Sequence, residues 1–226
     1  MPEPSLQLFD DLESMSHAAC AQVLKAIGET SGRFSLVLAG GKTPRRLYEL
    51  LAVSVVDWER VHLFWGDERC VPRDHPSSNY KLVRDSLLTK AAIPPQNVHA
   101  VPEIASPEEA AAAYENELRR YFRGPACFDV VLLGMGPDGH TASLFPGAAS
   151  LREEKRWAVA DDGKQGDPPM PRVTLTLPML NSSKMTMFLV SGEQKKDLAL
   201  RASSGDGALP AGRVRPSGKL VWYFAP

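Results

Sequence analysis

The sequence predicts an α/β fold built on a mostly parallel sheet with helices on both faces. Short apolar runs bounded by glycine or charged residues alternate with longer segments whose apolar residues recur at helical spacing. Strands separated by helices imply right-handed crossovers, which make the strands parallel and lay the helices over the sheet. Ligands of such sheets bind beyond the carboxyl ends of the strands, so the loops that follow the strands are the first candidates for function.

The helices are predicted from apolar spacing and from end signals. The first helix begins near Leu12, and its apolar positions repeat as far as Ile27, where Gly28 supplies a stop. In a later helix Ser106 is suited to the N-cap and Pro107 to the first turn. The predicted helices cover residues 12–27, 44–52, 79–88, 106–122 and 193–202.

The strands are predicted from apolar runs that are too short for helices. These runs are FSLVLA (34–39), VHLFW (61–65), FDVVLL (128–133), RVTLTL (172–177), MTMFLVS (185–191) and KLVWYF (219–224).

Composition limits the class of protein. The 226 residues, 43% of them hydrophobic, can bury a full core, and no linker-like run divides them, so we expect a single domain over residues 1–226. The formal net charge of -1 offers no overall positive field, so neither nucleic acid nor a membrane is an expected partner. An anion must instead be bound by a local site.

Targeting and cysteine signals are weak. The start MPEPSLQLFDDLESM is acidic where a signal peptide is basic, and no apolar run reaches the roughly 18 residues of a membrane span. The three cysteines are widely spaced and predict reduced thiols rather than disulfides or a zinc site. We therefore expect a cytoplasmic protein.

The loop after the first predicted strand reads AGGKTP. Gly40 and Gly41 allow close approach of the backbone to a ligand, and Lys42 and Thr43 precede a helix whose free N–H groups attract an anion, such as a phosphate. A nucleotide-binding P-loop is excluded because Leu36 stands where that motif needs its first glycine. The alternative interpretation is a tight turn with an exposed lysine.

The loop after the second predicted strand begins GDERCVPRDHPSSNY. Asp67 and Arg69 lie at the end of a strand, where their side chains can project into a crevice. Glu68 points to the opposite side if the extended pattern persists, which favours a structural role for it. The alternative is an ordinary solvated loop.

The third such loop, GMGPDGHTASLFPG (134–147), holds His140 among glycines. Asp138 lies two residues earlier and could orient the imidazole, and a histidine with its usual pKa near 6.5 suits general-base work at neutral pH. The other four histidines fit ordinary core or surface positions, and no pair has metal-ligand spacing, so we predict no metal site.

Two more cations could complete an anion site. Arg172 opens the run RVTLTL, and Lys195 begins a helix after SGEQ; with AGGKT they form a plausible phosphate clamp. A serine hydrolase is the weaker alternative because the G-x-S-x-G elbow is missing.

Five segments, in order, resemble one known family. They are LAGGKTPRRLYELL, FWGDERCVPRDHPSSNY, DVVLLGMGPDGHTASLFPG, PRVTLTLPMLN and LVSGEQKKDLAL. Together they resemble the 6-phosphogluconolactonases, within the glucosamine-6-phosphate isomerase/6-phosphogluconolactonase family. The resemblance implies a Rossmann-like sheet of the sugar-phosphate isomerase/deaminase type and cofactor-independent hydrolysis of 6-phospho-D-glucono-1,5-lactone. The deaminase branch typically carries a glutamate five residues after the histidine, where this chain has Phe145.

The resemblance suggests roles for the candidate residues. His140 would activate water, held by Asp138, while Arg69 would face either the phosphate or the developing oxyanion and Asp67 would position Arg69 or a substrate hydroxyl. The 6-phosphate would be bound by a second group, comprising Gly40, Gly41, Lys42, Thr43, Arg172 and Lys195. The remaining alternatives are a glucosamine-6-phosphate deaminase-like enzyme and a non-catalytic sugar-phosphate sensor. No cofactor is implied, and we expect a monomer or weak homodimer.

Overall fold

The computed structural model describes residues 6–104 and 106–226. Residues 1–5 lie outside this description. They begin the segment in which no signal peptide was predicted. The strands are β1 (Leu6–Leu8), β2 (Phe34–Leu38), β3 (Val61–Trp65), β4 (Asp67–Arg69), β5 (Val98–His99), β6 (Phe128–Leu133), β7 (Ala158–Asp161), β8 (Arg172–Leu175), β9 (Ser183–Ser191) and β10 (Lys219–Ala225).

The structure confirms the five predicted helices with changes at their ends, and it adds a short helix, Leu177–Asn181, where the predicted strand RVTLTL stops at Leu175. Ser106 caps its helix as predicted, accepting a hydrogen bond from the N–H of Glu109 at 3.2 Å. The helix predicted over 79–88 is α-helical only in its first part and continues as a π-turn from Arg84 to Leu88. The helices are α1 (Leu12–Glu29), α2 (Arg45–Ala52), α3 (Asn79–Val83), α4 (Pro107–Phe122), α5 (Leu177–Asn181) and α6 (Lys196–Ser203). Within the described residues, none of these helices has the length and apolar character needed to cross a membrane.

Seven strands form one parallel sheet in the order β1-β10-β9-β6-β2-β3-β5. The chain first moves outward from β1 to β2, β3 and β5, and then returns through β6, β9 and β10. With right-handed crossovers, α1, α2 and α3 lie on one face and α4, α5 and α6 on the other. The predicted α/β fold with a mostly parallel sheet is therefore confirmed.

The adjacent strands β2 and β6 are parallel, but the connections that follow them run in opposite directions along the sheet, from β2 to β3 and from β6 to β9. The loop after β2 leads to one face of the sheet and the loop after β6 to the other, which opens a crevice at their carboxyl ends. Both strands are buried along their whole length. Strands covered on both faces need apolar residues at every position, which explains their continuous apolar sequences.

A second, antiparallel sheet contains β4, β8 and β7. The predicted strand RVTLTL belongs to this small sheet rather than to the parallel one. Its register pairs Arg69 with Arg172 and Asp67 with Thr174, and β7 and β8 pack against α4. No separate sequence signal marks β1, β5 or β7, which are only two to four residues long, and Asp67–Arg69, predicted as a loop, forms β4.

Glu68 organises the chain between β4 and α3, as its predicted structural role requires. Its carboxylate accepts hydrogen bonds from the backbone N–H groups of Arg69, Asn79 and Tyr80 at 2.7, 2.8 and 2.6 Å. It also accepts one from the hydroxyl of Ser78 at 3.2 Å. Burial raises the pKa of the Glu68 carboxyl, and the three N–H groups oppose that rise.

Replacement of Glu68 by Gln should lower the free energy of unfolding by about 2 kcal/mol or more, because its amide NH₂ must then face a buried donor. Urea denaturation would show this as a lower midpoint at an unchanged slope. Glu29→Gln is a suitable control, because Glu29 is 68% exposed and 3.8 Å from Lys25, a pair worth about 0–1 kcal/mol. Equal midpoints for the two variants would contradict the structural role of Glu68.

A histidine pair beneath the sheet edge should make the fold sensitive to acid. His62 Nδ1 lies 3.0 Å from His99 Nε2, and His99 Nδ1 lies 2.8 Å from Glu117. Burial lowers the pKa of His62 to about 4, and the charges of His99 and Arg33 add to this lowering. Since the folded-state pKa is below the usual value near 6.5, the stabilisation is complete above pH 6.5 and is lost as the pH falls towards 4.

His62→Gln should therefore reduce the loss of stability between pH 7 and pH 5, measured as the free energy of unfolding at each pH. The control His17→Gln removes a side chain that is 60% exposed and should leave that loss as in the wild type. An unchanged pH dependence in His62→Gln would contradict the interpretation.

Candidate active site

The loop after β6 holds His140 against the backbone that precedes it. A side chain at Gly136 would place its Cβ 2.1 Å from the imidazole, so only glycine leaves room for the ring. Gly139 turns the chain with a φ of +82°, a conformation that favours glycine. The ring is therefore confined on one side by the loop that carries it.

Asp138 fixes the orientation of the imidazole. Its Oδ1 lies 2.5 Å from His140 Nδ1 and also accepts a hydrogen bond from the backbone N–H of His140 at 3.1 Å. An ionised carboxylate can only accept, so the proton of a neutral imidazole resides on Nδ1 and the lone pair on Nε2. Nε2 is thus the atom of this ring that can accept a proton.

Behind the histidine the loop continues into the core. The fully buried Phe145 packs on His140 with ring centroids 4.6 Å apart, and its ring also lies 5.4 Å from the Arg172 guanidinium. Ser143 is fully buried as well, and its hydroxyl donates to Asp67 Oδ2 at 2.6 Å. This bond joins the loop after β6 to strand β4.

The loop after β2 forms the opposite wall of the crevice. Gly41 has a φ of +88°, and the Tyr48 hydroxyl secures both the N–H and the carbonyl of Ala39 at 2.9 and 2.7 Å. The Thr43 hydroxyl lies 2.7 Å from that of Ser191 at the end of β9. No side chain of the described residues caps the start of α2, and the N–H of its first residue, Arg45, donates to the carbonyl of Lys42 at 3.3 Å.

Two arginines lie side by side on adjacent strands of the small sheet. Arg69 and Arg172 are register partners on β4 and β8. Arg69 Nη1 donates to the carbonyl of Ser77 at 2.5 Å, and Arg172 Nη2 donates to that of Pro168 at 3.2 Å. The Nε atoms of both arginines are buried and have no partner among the described residues.

Burial lowers the pKa of Arg172, and the charge of Arg69 lowers it further, while Asp67 acts in the opposite direction. Asp67 Oδ2 lies 4.0 Å from Arg172 Nη1. Asp67 was expected to position Arg69 or a substrate hydroxyl, and the structure places its carboxylate beside Arg172 and Ser143. Like charges side by side in a buried setting favour the binding of an anion between or beside them.

Lys195 supplies a further cation from the far side of the crevice. Its Nζ donates to the carbonyl of Met135 at 2.9 Å. Burial lowers the pKa of this lysine, so an anion at this place would favour its charged form.

These groups enclose a cavity of about 380 Å³ at the carboxyl ends of β2, β3, β6 and β9. Four basic side chains and one carboxylate line it, so the cavity is positive in a chain whose net charge is -1. Asp138 contacts His140 but is not in the lining, and its side chain is 38% exposed. The predicted residues that share the cavity are Gly40, Gly41, Lys42, Thr43, Asp67, Arg69, His140, Arg172 and Lys195.

Sequence reasoning missed three polar residues of this region: Asn79 and Ser191 in the lining and Ser143 behind Asp67. All three stand inside predicted loops or at an element end, but serine and asparagine are common there and their types alone carry no signal. Among residues 6–104 and 106–226, no cluster of three His, Cys, Asp or Glu side chains could hold a metal ion.

The sequence and the fold both match known proteins. The 6-phosphogluconolactonase of Nostoc sp. is 41% identical over 201 residues, which cover 85% of this chain and 82% of that protein. That of Synechocystis sp. is 41% identical over 211 residues, covering 90% and 86%. The crystal structure of 6-phosphogluconolactonase from Thermotoga maritima superposes with a TM-score of 0.89 at 36% identity, covering 99% of this chain and all of that one.

A family model described as glucosamine-6-phosphate isomerases/6-phosphogluconolactonase matches residues 10–222. This match extends over nearly the whole chain and includes all five segments on which the resemblance was based. The chain therefore belongs to the glucosamine-6-phosphate isomerase/6-phosphogluconolactonase family, as its loop motifs predicted.

Proposed function

We propose that this protein hydrolyses 6-phospho-D-glucono-1,5-lactone to 6-phospho-D-gluconate, a step of the oxidative pentose phosphate pathway. The observation that carries the proposal is one cavity in which His140, held by Asp138, lies with four basic side chains. The pair can activate water, and the basic side chains can bind a phosphate. The name of the relatives and of the solved structure, 6-phosphogluconolactonase, supports the same activity.

His140 acts as the general base. Its Nε2 takes a proton from a water molecule, whose oxygen attacks the lactone carbonyl carbon and gives a tetrahedral oxyanion. The intermediate collapses with cleavage of the bond between the carbonyl carbon and the ring oxygen, and the imidazolium returns the proton to that oxygen. Asp138 keeps the imidazole in the required tautomer and stabilises its charged form.

The phosphate is bound away from the reacting carbonyl. The N–H groups of the loop after β2, together with Lys42, Thr43, Arg172 and Lys195, hold it, and Arg69 faces the phosphate or the oxyanion. Binding energy gained at this remote group fixes the carbonyl near His140, which lowers the entropic part of the barrier. Asp67 contributes by holding Arg172 in place.

Phe145 favours the lactonase over the deaminase reaction. Its ring occupies the space beside His140 and Arg172 in which the deaminase branch typically has a carboxylate. An apolar ring cannot transfer a proton during ring opening of an amino sugar. A non-catalytic sugar-phosphate sensor would use the same cationic groups, and turnover separates that alternative from an enzyme.

The single domain over residues 1–226, the cytoplasmic location and the monomeric or weakly dimeric state stay predictions of the sequence.

His140→Ala should lower kcat by about 10² to 10⁴-fold, the usual contribution of a general base, with little change in KM. The measurement is acid release from freshly prepared 6-phosphogluconolactone after subtraction of spontaneous hydrolysis, with the fold of each variant checked by circular dichroism. His75→Ala, which removes another loop histidine, is the matched control and should retain activity.

Wild-type activity in a folded His140→Ala variant would overturn the mechanism while leaving the lactonase activity in place. Absence of wild-type turnover above the spontaneous rate would overturn the lactonase activity, and deamination of glucosamine 6-phosphate would be tested next. If both reactions fail, binding of a sugar phosphate alone would favour the sensor.

Arg172→Lys and Lys195→Ala should each raise KM by about 10- to 100-fold, because each removes charge-assisted hydrogen bonds to the phosphate. Their kcat should change by less than about threefold, since His140 is untouched. Lys196→Ala is the control for Lys195, because Lys196 is the next residue and pairs with Glu193 instead. Unchanged KM in both variants would remove Arg172 and Lys195 from the phosphate site.

A further inference from the structure

Asn79 lines the cavity, yet its side chain takes no part in the mechanism described above. It begins α3 and is only 2% exposed, and it stands between the loop after β2 and Asp67. We propose, on the basis of the proposed function, that Asn79 is a specificity-determining residue whose side-chain oxygen accepts a hydrogen bond from a ring hydroxyl of the sugar lactone.

The orientation of the Asn79 amide is fixed by its partners. Nδ2 lies 2.8 Å from the carbonyl oxygen of Asp67 and 3.2 Å from its Oδ1. Both atoms are acceptors when the carboxylate is ionised, so the NH₂ group must face them and Oδ1 must face away. The amide therefore offers an acceptor, and no donor, to a ligand in the cavity.

Gly40 makes the space that this oxygen occupies. A Cβ at Gly40 would lie 2.0 Å from Asn79 Oδ1, so the oxygen lies directly against the loop proposed to hold the phosphate. Within the described part of the chain, this oxygen accepts no hydrogen bond, and it is not a fully buried orphan. The accessible part of this oxygen therefore faces the cavity that Asn79 lines.

The backbone of Asn79 is as firmly held as its amide. The N–H of Asn79 donates to Glu68 at 2.8 Å, and Glu68 also holds the two flanking residues, Ser78 and Tyr80. Because its backbone and its amide are both held by hydrogen bonds, this acceptor loses little conformational entropy when it binds a ligand. This favours selectivity for a hydroxyl at one place.

The chemistry of the substrate fits this acceptor. A gluconolactone carries hydroxyl groups on C2, C3 and C4, between the carbonyl carbon and the carbons that lead to the phosphate. With the phosphate against the loop after β2 and the carbonyl near His140, one of these hydroxyls can donate to Asn79 Oδ1. A site that accepts a hydroxyl proton disfavours analogues that lack it, because its polar atom is then left unpaired.

The test is a double-mutant cycle between Asn79 and the substrate hydroxyls. kcat/KM is measured for wild type and Asn79→Ala with the parent 6-phosphogluconolactone and with its 2-deoxy, 3-deoxy and 4-deoxy forms. For one deoxy lactone, we expect a loss of about tenfold in wild type and almost none in Asn79→Ala, as one hydrogen bond requires. Ser78→Ala, which disturbs the same helix start outside the cavity, should lower kcat/KM equally for all four lactones.

A merely structural role of Asn79 would reduce turnover of all four lactones in proportion, and this result would overturn the inference. If Asn79→Ala does not fold, the wild-type values alone test the inference. Wild-type kcat/KM values that agree within about twofold for the parent and all three deoxy lactones would also overturn the inference. Failure of the wild type to hydrolyse the parent lactone is a different result, because it overturns the proposed function and this inference with it.

Discussion

The site depends on one constraint of the topology: the connections that follow the parallel neighbours β2 and β6 run in opposite directions along the sheet. Two adjacent parallel strands end at the same edge of the sheet, and their loops separate towards opposite faces. This separation leaves a crevice, which strand residues such as Leu133 and Leu189 also line. The loop after β2 lines one side of it with Gly40, Gly41, Lys42 and Thr43, and the loop after β6 places His140 on the other.

The small sheet completes the crevice by bringing distant parts of the chain together. Strand β4 continues directly from β3, while β8 comes from a segment about a hundred residues later, and their pairing sets Arg69 beside Arg172. Side chains alternate along β4, so those on its two sides have different roles. Asp67 and Arg69 face the cavity, and Glu68, pointing the other way, secures the start of α3 and with it Asn79.

The sequence was sufficient to predict the parallel sheet, the helices that cover it and the loops that carry the candidate site. These features follow from local patterns: apolar runs, helical spacing, and glycines next to His140 and Lys42. The local contact of Asp138 with His140 was predicted, but the long-range contacts of the site were not, because they join residues such as Asp67 and Ser143, which are 76 positions apart. The same limit explains why RVTLTL was recognised as a strand although its antiparallel partners, and so the pairing of Arg172 with Arg69, were not.

The unpartnered Nε atoms of Arg69 and Arg172 also have a consequence for the energetics of the whole molecule. The guanidinium groups of the buried Arg172 and the partly buried Arg69 lie on neighbouring strands and repel each other, and each leaves a buried Nε donor without an acceptor in the described residues. The fold therefore carries a local deficit in stability that a neutral pair at these positions would not have. On the proposed function, an anionic ligand would satisfy these groups, so the deficit would be a trade-off of stability for activity.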